Sequence, residues 1–185
     1  MSRKSPLSET SLDLGGFEAS GFPLVEFDRN PFDQCPIRGF VLDWNDGLTL
    51  FQDFDTELFQ LNGWAVVRNS DIRRYRAIPE GDFLARAVRS QKIRPARPKG
   101  VAIGSLREAA ESAGAKFPLL TIYRGQIKKN VCHIGSFQRA SQRTLTVREI
   151  STQAEWEDEE TFALRDITKL EFDGTYERLL YALAK

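Results

Sequence analysis

Apolar residues along this chain come in short runs, each closed by turn formers, which is the rhythm of a strand-rich protein. The first run is Phe22-Pro-Leu-Val-Glu-Phe27, after which Pro31 and Pro36 interrupt any long element. Gly39-Phe-Val-Leu-Asp-Trp44 and Leu48-Thr-Leu-Phe51 flank Asn45-Asp46-Gly47, a β-hairpin signal. Phe54, Leu58, Phe59 and Leu61 lead to a second tight-turn dipeptide, Asn62-Gly63, and then to strands over 64–67 and 72–75. Phe83, Leu84, Ala87 and Val88 share one helical face, where Phe83 is expected to be buried.

A basic, proline-punctuated connector runs from Arg89 to Gly100. Behind it Ser105 and Glu108 form a capping box, and Leu106, Ala109, Ala110 and Ala113 line a helix face. Gly114 stands where a left-handed C-terminal residue belongs. The end of the chain, from Phe162 to Leu183, reads as a strand, a turn at Asp173-Gly174 and a short amphipathic helix.

Much of this pattern recurs at an interval of 95 positions. Phe117-Pro118-Leu119 follows Phe22-Pro23-Leu24 at that interval, Thr144-Leu145 follows Thr49-Leu50, and Asp166-Ile167 follows Asp71-Ile72. Leu179 and Ala182 follow Leu84 and Ala87, whereas Gly39 and Gly135 match only with a one-residue slip. The copies differ most in charge, Arg73-Arg74-Tyr75-Arg76 standing where the second has Thr168-Lys169-Leu170-Glu171.

About five short strands per copy cannot bury both faces of an open sheet, and curling into a small barrel removes the edges. The expectation is a mainly β protein with short helices, built as two tandem SH3-like or Sm-like small barrels related by internal duplication. Residues 1–20 read as a flexible tail, 21–90 as the first barrel, 91–116 as connector and helix, and 117–185 as the second barrel with its C-terminal helix. The closing helices are expected to rest on Leu84 and Val88, or on Leu179 and Leu183.

A chain of 185 residues accommodates two such units. Formal net charge is zero, so no global field draws the chain to nucleic acid or membrane. No apolar run approaches the roughly 18–20 residues that span a bilayer, and the N-terminus carries no apolar leader region. Cys35 and Cys132 are too few for a disulfide framework and lack metal-ligand spacing. A reduced, cytoplasmic protein follows.

The stretch from Pro118-Leu-Leu-Thr-Ile-Tyr through Cys132-His-Ile-Gly135 to Leu180 resembles a group of uncharacterised bacterial proteins with tandem small β-barrels. They share the strand-rich layout and an acidic stretch like Glu155-Trp156-Glu157. The resemblance covers roughly 117–183, and the first copy more loosely; it implies a fold and no catalytic residues. At fold level the layout is similar to Sm-like RNA-binding barrels, whose base clamp pairs Asp and Asn in one loop with Arg-Gly in another. Asp71-Ile72 and Asp166-Ile167 are not followed by Arg-Gly, so no uridine pocket carries over.

Candidate chemistry is sparse. His133 is the sole histidine, and Cys132 beside it on a strand faces the other way, so the two cannot share a proton. No nucleophile elbow or phosphate-cradling glycine loop is present. Gly100-Val-Ala-Ile-Gly104 ahead of a helix hints at an anion site, but Ser105 capping its own helix is the simpler account. Asp43, Asp46, Asp53 and Asp55 read as turn acids, because their spacing departs from a calcium loop. No enzyme, cofactor or metal is expected.

Two charged stretches remain. Glu155, Glu157 and Asp158 surround Trp156, the kind of residue that anchors an interface. Segment 68–99 carries ten basic against three acidic side chains, including Arg68, Arg73, Arg74, Arg76, Arg89, Lys92, Arg94 and Arg97. These either meet acidic residues across the interface of the two copies or form a face for RNA. The leading expectation is a non-enzymatic module recognising a protein partner through its surface. The alternative is an Sm-like RNA-binding protein using the 68–99 face.

Overall fold

A computed structural model describes residues 21–33, 35–129 and 131–185, so the tail expected over 1–20 lies outside the described residues. The first strands are β1 (Leu24–Asp28), β2 (Ile37–Trp44) and β3 (Leu48–Asp55). Asn45 builds the β2–β3 turn itself, its Oδ1 accepting from the Gly47 and Leu48 amides. β4 (Gln60–Arg68), a one-turn 3-10 helix (Asn69–Asp71) and β5 (Arg74–Ala77) follow. Helix α1 (Phe83–Ser90) starts at Asp82, which caps the Leu84 amide. Ser105 caps α2 (Leu106–Gly114) by accepting from the Glu108 amide. The chain then repeats the first layout as β6 (Leu120–Tyr123), β7 (Cys132–Ala140), β8 (Thr144–Ile150) and β9 (Trp156–Ala163). A second 3-10 turn (Leu164–Asp166), β10 (Lys169–Phe172) and α3 (Thr175–Ala182) complete it.

The strands form one antiparallel sheet in the order β5-β1-β2-β3-β4-β10-β6-β7-β8-β9, and its two ends do not pair. The protein is mainly β, in one open sheet. The same succession of strands occurs on either side of the β4–β10 junction. Bulges fall after Val41 and Gln52 in the first half and after Phe137 and Arg148 in the second, each 96 positions on.

Gly39 and Gly135 lie in the same place in the two halves, opposite Val25 and Leu120. A Cβ on Gly39 would stand 2.5 Å from the Gln52 carbonyl oxygen, and one on Gly135 would stand 2.4 Å from that of Arg148. The slip at these glycines is therefore a one-residue lengthening of the β6–β7 connection, offset by a shortening between β8 and β9. In consequence Thr49 matches Leu145 and not Thr144, since they stand opposite Val67 and Phe162 respectively.

One apolar core runs through both halves. It joins Phe40, Leu50, Phe54 and Val66 to Leu120, Ile122, Val147, Phe162 and Leu170, with α1 and α2 packed on it. A second cluster, Val25, Phe27, Val41, Phe51, Ala65 and Val67, lies on the opposite face of the first half. Leu119, Ile150, Ala154 and Leu180 hold α3 against the second half.

Several local expectations change. Gly114 lies inside α2, and its purpose is space, because a Cβ there would sit 2.3 Å from Phe137 Cβ. Asn62-Gly63 is not a turn; Gly63 sits within β4 at φ +72°, where the backbone of Phe172–Gly174 passes too close for any side chain. Phe83 is 62% exposed, its ring set edge-to-face with Phe59. α3 turns Glu177 and Leu180 inward, while Leu179 and Leu183 are exposed, since the helix begins earlier relative to its strand than α1 does.

Candidate functional site

The junction of the halves is polar beneath its backbone ladder. Arg68 on β4 donates to the carbonyls of Ile167 and Leu164 at 2.9 and 2.7 Å, bridging the two halves. On β10, Lys169 lies over the Tyr123 ring and pairs with Glu171 at 2.8 Å, and Tyr123 donates to the same carboxylate. Thr121 donates to the buried Glu177 of α3. Asp53, Glu171 and Glu177, with Asn62 and Trp64, line a small cavity of about 40 Å3. Burial, and after it the charge of Glu171, push Asp53 up to about 7, against Lys169 and Asn62, which pull it down. Among the described residues, no three His, Cys, Asp or Glu converge as metal ligands.

Asp53 is thus a junction residue rather than a turn acid. Asp43 sits on β2 and pairs with Arg97, and Asp55 accepts from the Glu57 and Leu58 amides in the β3–β4 turn. The fully buried Arg29 donates to the Thr168 carbonyl and lies 3.5 Å from Asp33. Desolvation lowers its pKa, with Asp33 the chief opposing charge.

His133 lies between two partners. Its Nδ1 is 2.7 Å from Glu149, and Arg124 Nη2 is 2.9 Å from Nε2. A guanidinium only donates, so Nε2 must accept and the proton sits on Nδ1, donated to Glu149. The lone pair a general base would use is occupied. The Cys132 thiol is pushed up, first by desolvation and then by the charge of Glu171, the opposite of an activated nucleophile.

The charged stretches meet different fates. Arg68 reaches the junction. Arg73, Arg74 and Arg76 lie at the β5 edge, Arg89 on α1, and Lys92, Arg94 and Arg97 on the connector, all seven exposed. Arg74 and Arg76 pair with Asp28 and Glu26 on neighbouring β1, at 3.6 and 3.4 Å. The connector crosses the β2–β4 face, where Trp64 Nε1 and Gln52 bond the Ala96 backbone. Besides Arg68 on β4, the basic residues therefore sit on three separate elements.

The acidic stretch is strand β9, the other end of the sheet. Glu157 to Thr161 are all exposed, and Glu155 precedes them, also exposed. Trp156 is half-buried against Ile150, with the Arg148 guanidinium over its ring at 5.3 Å. An open groove is lined by Arg148, Trp156 and the acids of β9.

No family model, curated protein or solved structure matches this chain. No helix among the described residues is long and apolar enough to cross a membrane.

Proposed function

We propose that this chain is a non-enzymatic interaction module that recognises a protein partner through its surface, with β9 as the docking strand. The observation that carries the reading is that β9 ends the sheet with five consecutive exposed residues. A strand at a sheet edge offers a row of backbone donors and acceptors to an incoming strand. Its alternate side chains then choose the partner. Glu157, Asp158, Glu159 and Glu160 favour a basic strand, and Trp156 with Arg148 marks the start of the groove. Titrating labelled extended peptides, one rich in Arg and one rich in Glu, tests this. The basic peptide is expected to bind and to be lost with Asp158→Lys plus Glu160→Lys. Equal binding of both peptides, or of neither, would overturn it.

The two halves read as copies of one SH3-like or Sm-like unit, a duplication supported by the matched bulges, glycines and strand order. A cytoplasmic location remains our reading.

A second reading, RNA binding in the manner of an Sm-like protein, is favoured by the exposure of Arg73, Arg74, Arg76, Arg89, Lys92, Arg94 and Arg97. It predicts filter binding that weakens steeply with salt and disappears on charge reversal at Arg73 and Arg74. Retention indifferent to both would exclude it.

A further inference from the structure

The geometry points to a second copy of this chain as the partner of β9, docked through its own β5. This rests on the reading of β9 as a docking strand and names the occupant. Among the described residues the sheet has two unpaired ends, and they are opposite in charge. One is β5, with exposed Arg74 and Arg76; the other is β9, with exposed Asp158 and Glu160. Charge on an edge is also how sheet proteins keep edges single. Here repulsion would arise only if like edges met, while the mixed approach brings opposite charges together.

The molecule already contains the required joint. β4 and β10 pair antiparallel with Lys169 opposite Val67, Leu170 opposite Val66, Glu171 opposite Ala65 and Phe172 opposite Trp64. β9 holds the place of β4 in the second half, as their pairing with β8 and β3 shows, and β5 holds the place of β10 in the first. Transferring that register sets Arg74 of one copy opposite Phe162 of the next, Tyr75 opposite Thr161, Arg76 opposite Glu160 and Ala77 opposite Glu159. Arg74 and Arg76 then project from the same sheet face as Glu160, which stands directly opposite Arg76 and diagonal to Arg74, an arrangement of opposite-charge neighbours.

The arginines' present pairs with Asp28 and Glu26 leave them 86% and 57% exposed, and such pairs are weak enough to be shared with a neighbour. Ile78 donates its amide to Leu24, so by the alternation of an antiparallel ladder the Ala77 amide points away from β1. Each joint leaves one β5 and one β9 free, so assembly continues until it closes as a ring or extends as a filament.

Analytical ultracentrifugation of the full chain across a wide concentration range tests this. Wild type is expected to associate beyond a dimer. Arg76→Glu and Glu160→Arg are each expected to weaken association by roughly tenfold or more while melting as wild type does. Ala77→Pro, which removes an amide the β1 ladder does not use, should do the same. Mixing the two reversed chains, or combining both changes in one chain, is expected to restore assembly. A wild type that stays monomeric throughout would overturn the inference. So would association indifferent to the reversals, or reversals that mixing fails to rescue. If the chain is monomeric yet β9 binds the basic peptide, only the choice of occupant falls; if β9 binds no peptide either, the docking strand falls with it.

Discussion

Asp53 and Gly135 carry unusual demands for single residues. Asp53, with its pKa raised from 3.8 to about 7, holds a proton in the folded state that the unfolded chain has already released between those values. Its stabilising contribution is therefore complete below about pH 4 and is lost as pH rises through about 7. Unfolding free energy from urea titrations should fall by at most about 1.4 kcal/mol per pH unit in that window. Asp53→Asn is expected to remove that slope; an unchanged slope would place the proton elsewhere. Gly135 abuts the Arg148 carbonyl, which is backbone and cannot swing aside. Gly135→Ala is expected to cost about 1–3 kcal/mol, read as a shift in the urea midpoint, and Gly39→Ala should match it because Gln52 stands in the same relation.

Among elements, the contrast between β5 and β10 explains why the two halves differ in charge there. β10 lies between β4 and β6, so Lys169, Leu170 and Phe172 are buried and the charges must pair internally. Among the described residues β5 has one neighbour, so Arg74 and Arg76 can face water while Tyr75 packs against the Val25 and Phe27 cluster. The joint at β10 also depends on Arg68, whose side chain satisfies two carbonyls around the second 3-10 turn. Arg68→Met keeps much of the aliphatic stem and removes those bonds. A loss of about 2–4 kcal/mol is expected from charge-assisted bonds that leave carbonyls unpaired, checked by thermal melts. A melt unchanged from wild type would mean the carbonyls find water instead.

At the scale of the whole molecule, one sheet and one core run through both halves, so neither half is complete alone. Far-UV circular dichroism should report a single unfolding transition coincident with fluorescence from Trp44 and Trp64 in the first half and Trp156 in the second. Two separated transitions would show that the halves act as independent domains. The same continuity leaves the sheet with two ends of opposite charge, the basis of the head-to-tail assembly inferred above.

The order of short strands, the Asn45 turn and the Ser105 cap were legible in the amino-acid sequence because each is a local signal read within a few residues, and the recurrence at 95 positions because it compares such signals along the chain. The sequence also marked Arg73–Arg76 as the place where the two halves differ most in charge. Tertiary structure alone decided that this segment ends the sheet among the described residues while its counterpart is the central joint. It also decided that β9 and β5 are opposite ends of one sheet, and that Asp53, Glu171 and Glu177 share a cavity. The reason is physical: which strand finds a neighbour depends on pairing between segments about a hundred residues apart. A charged residue reads alike in sequence whether water or another strand will lie beside it.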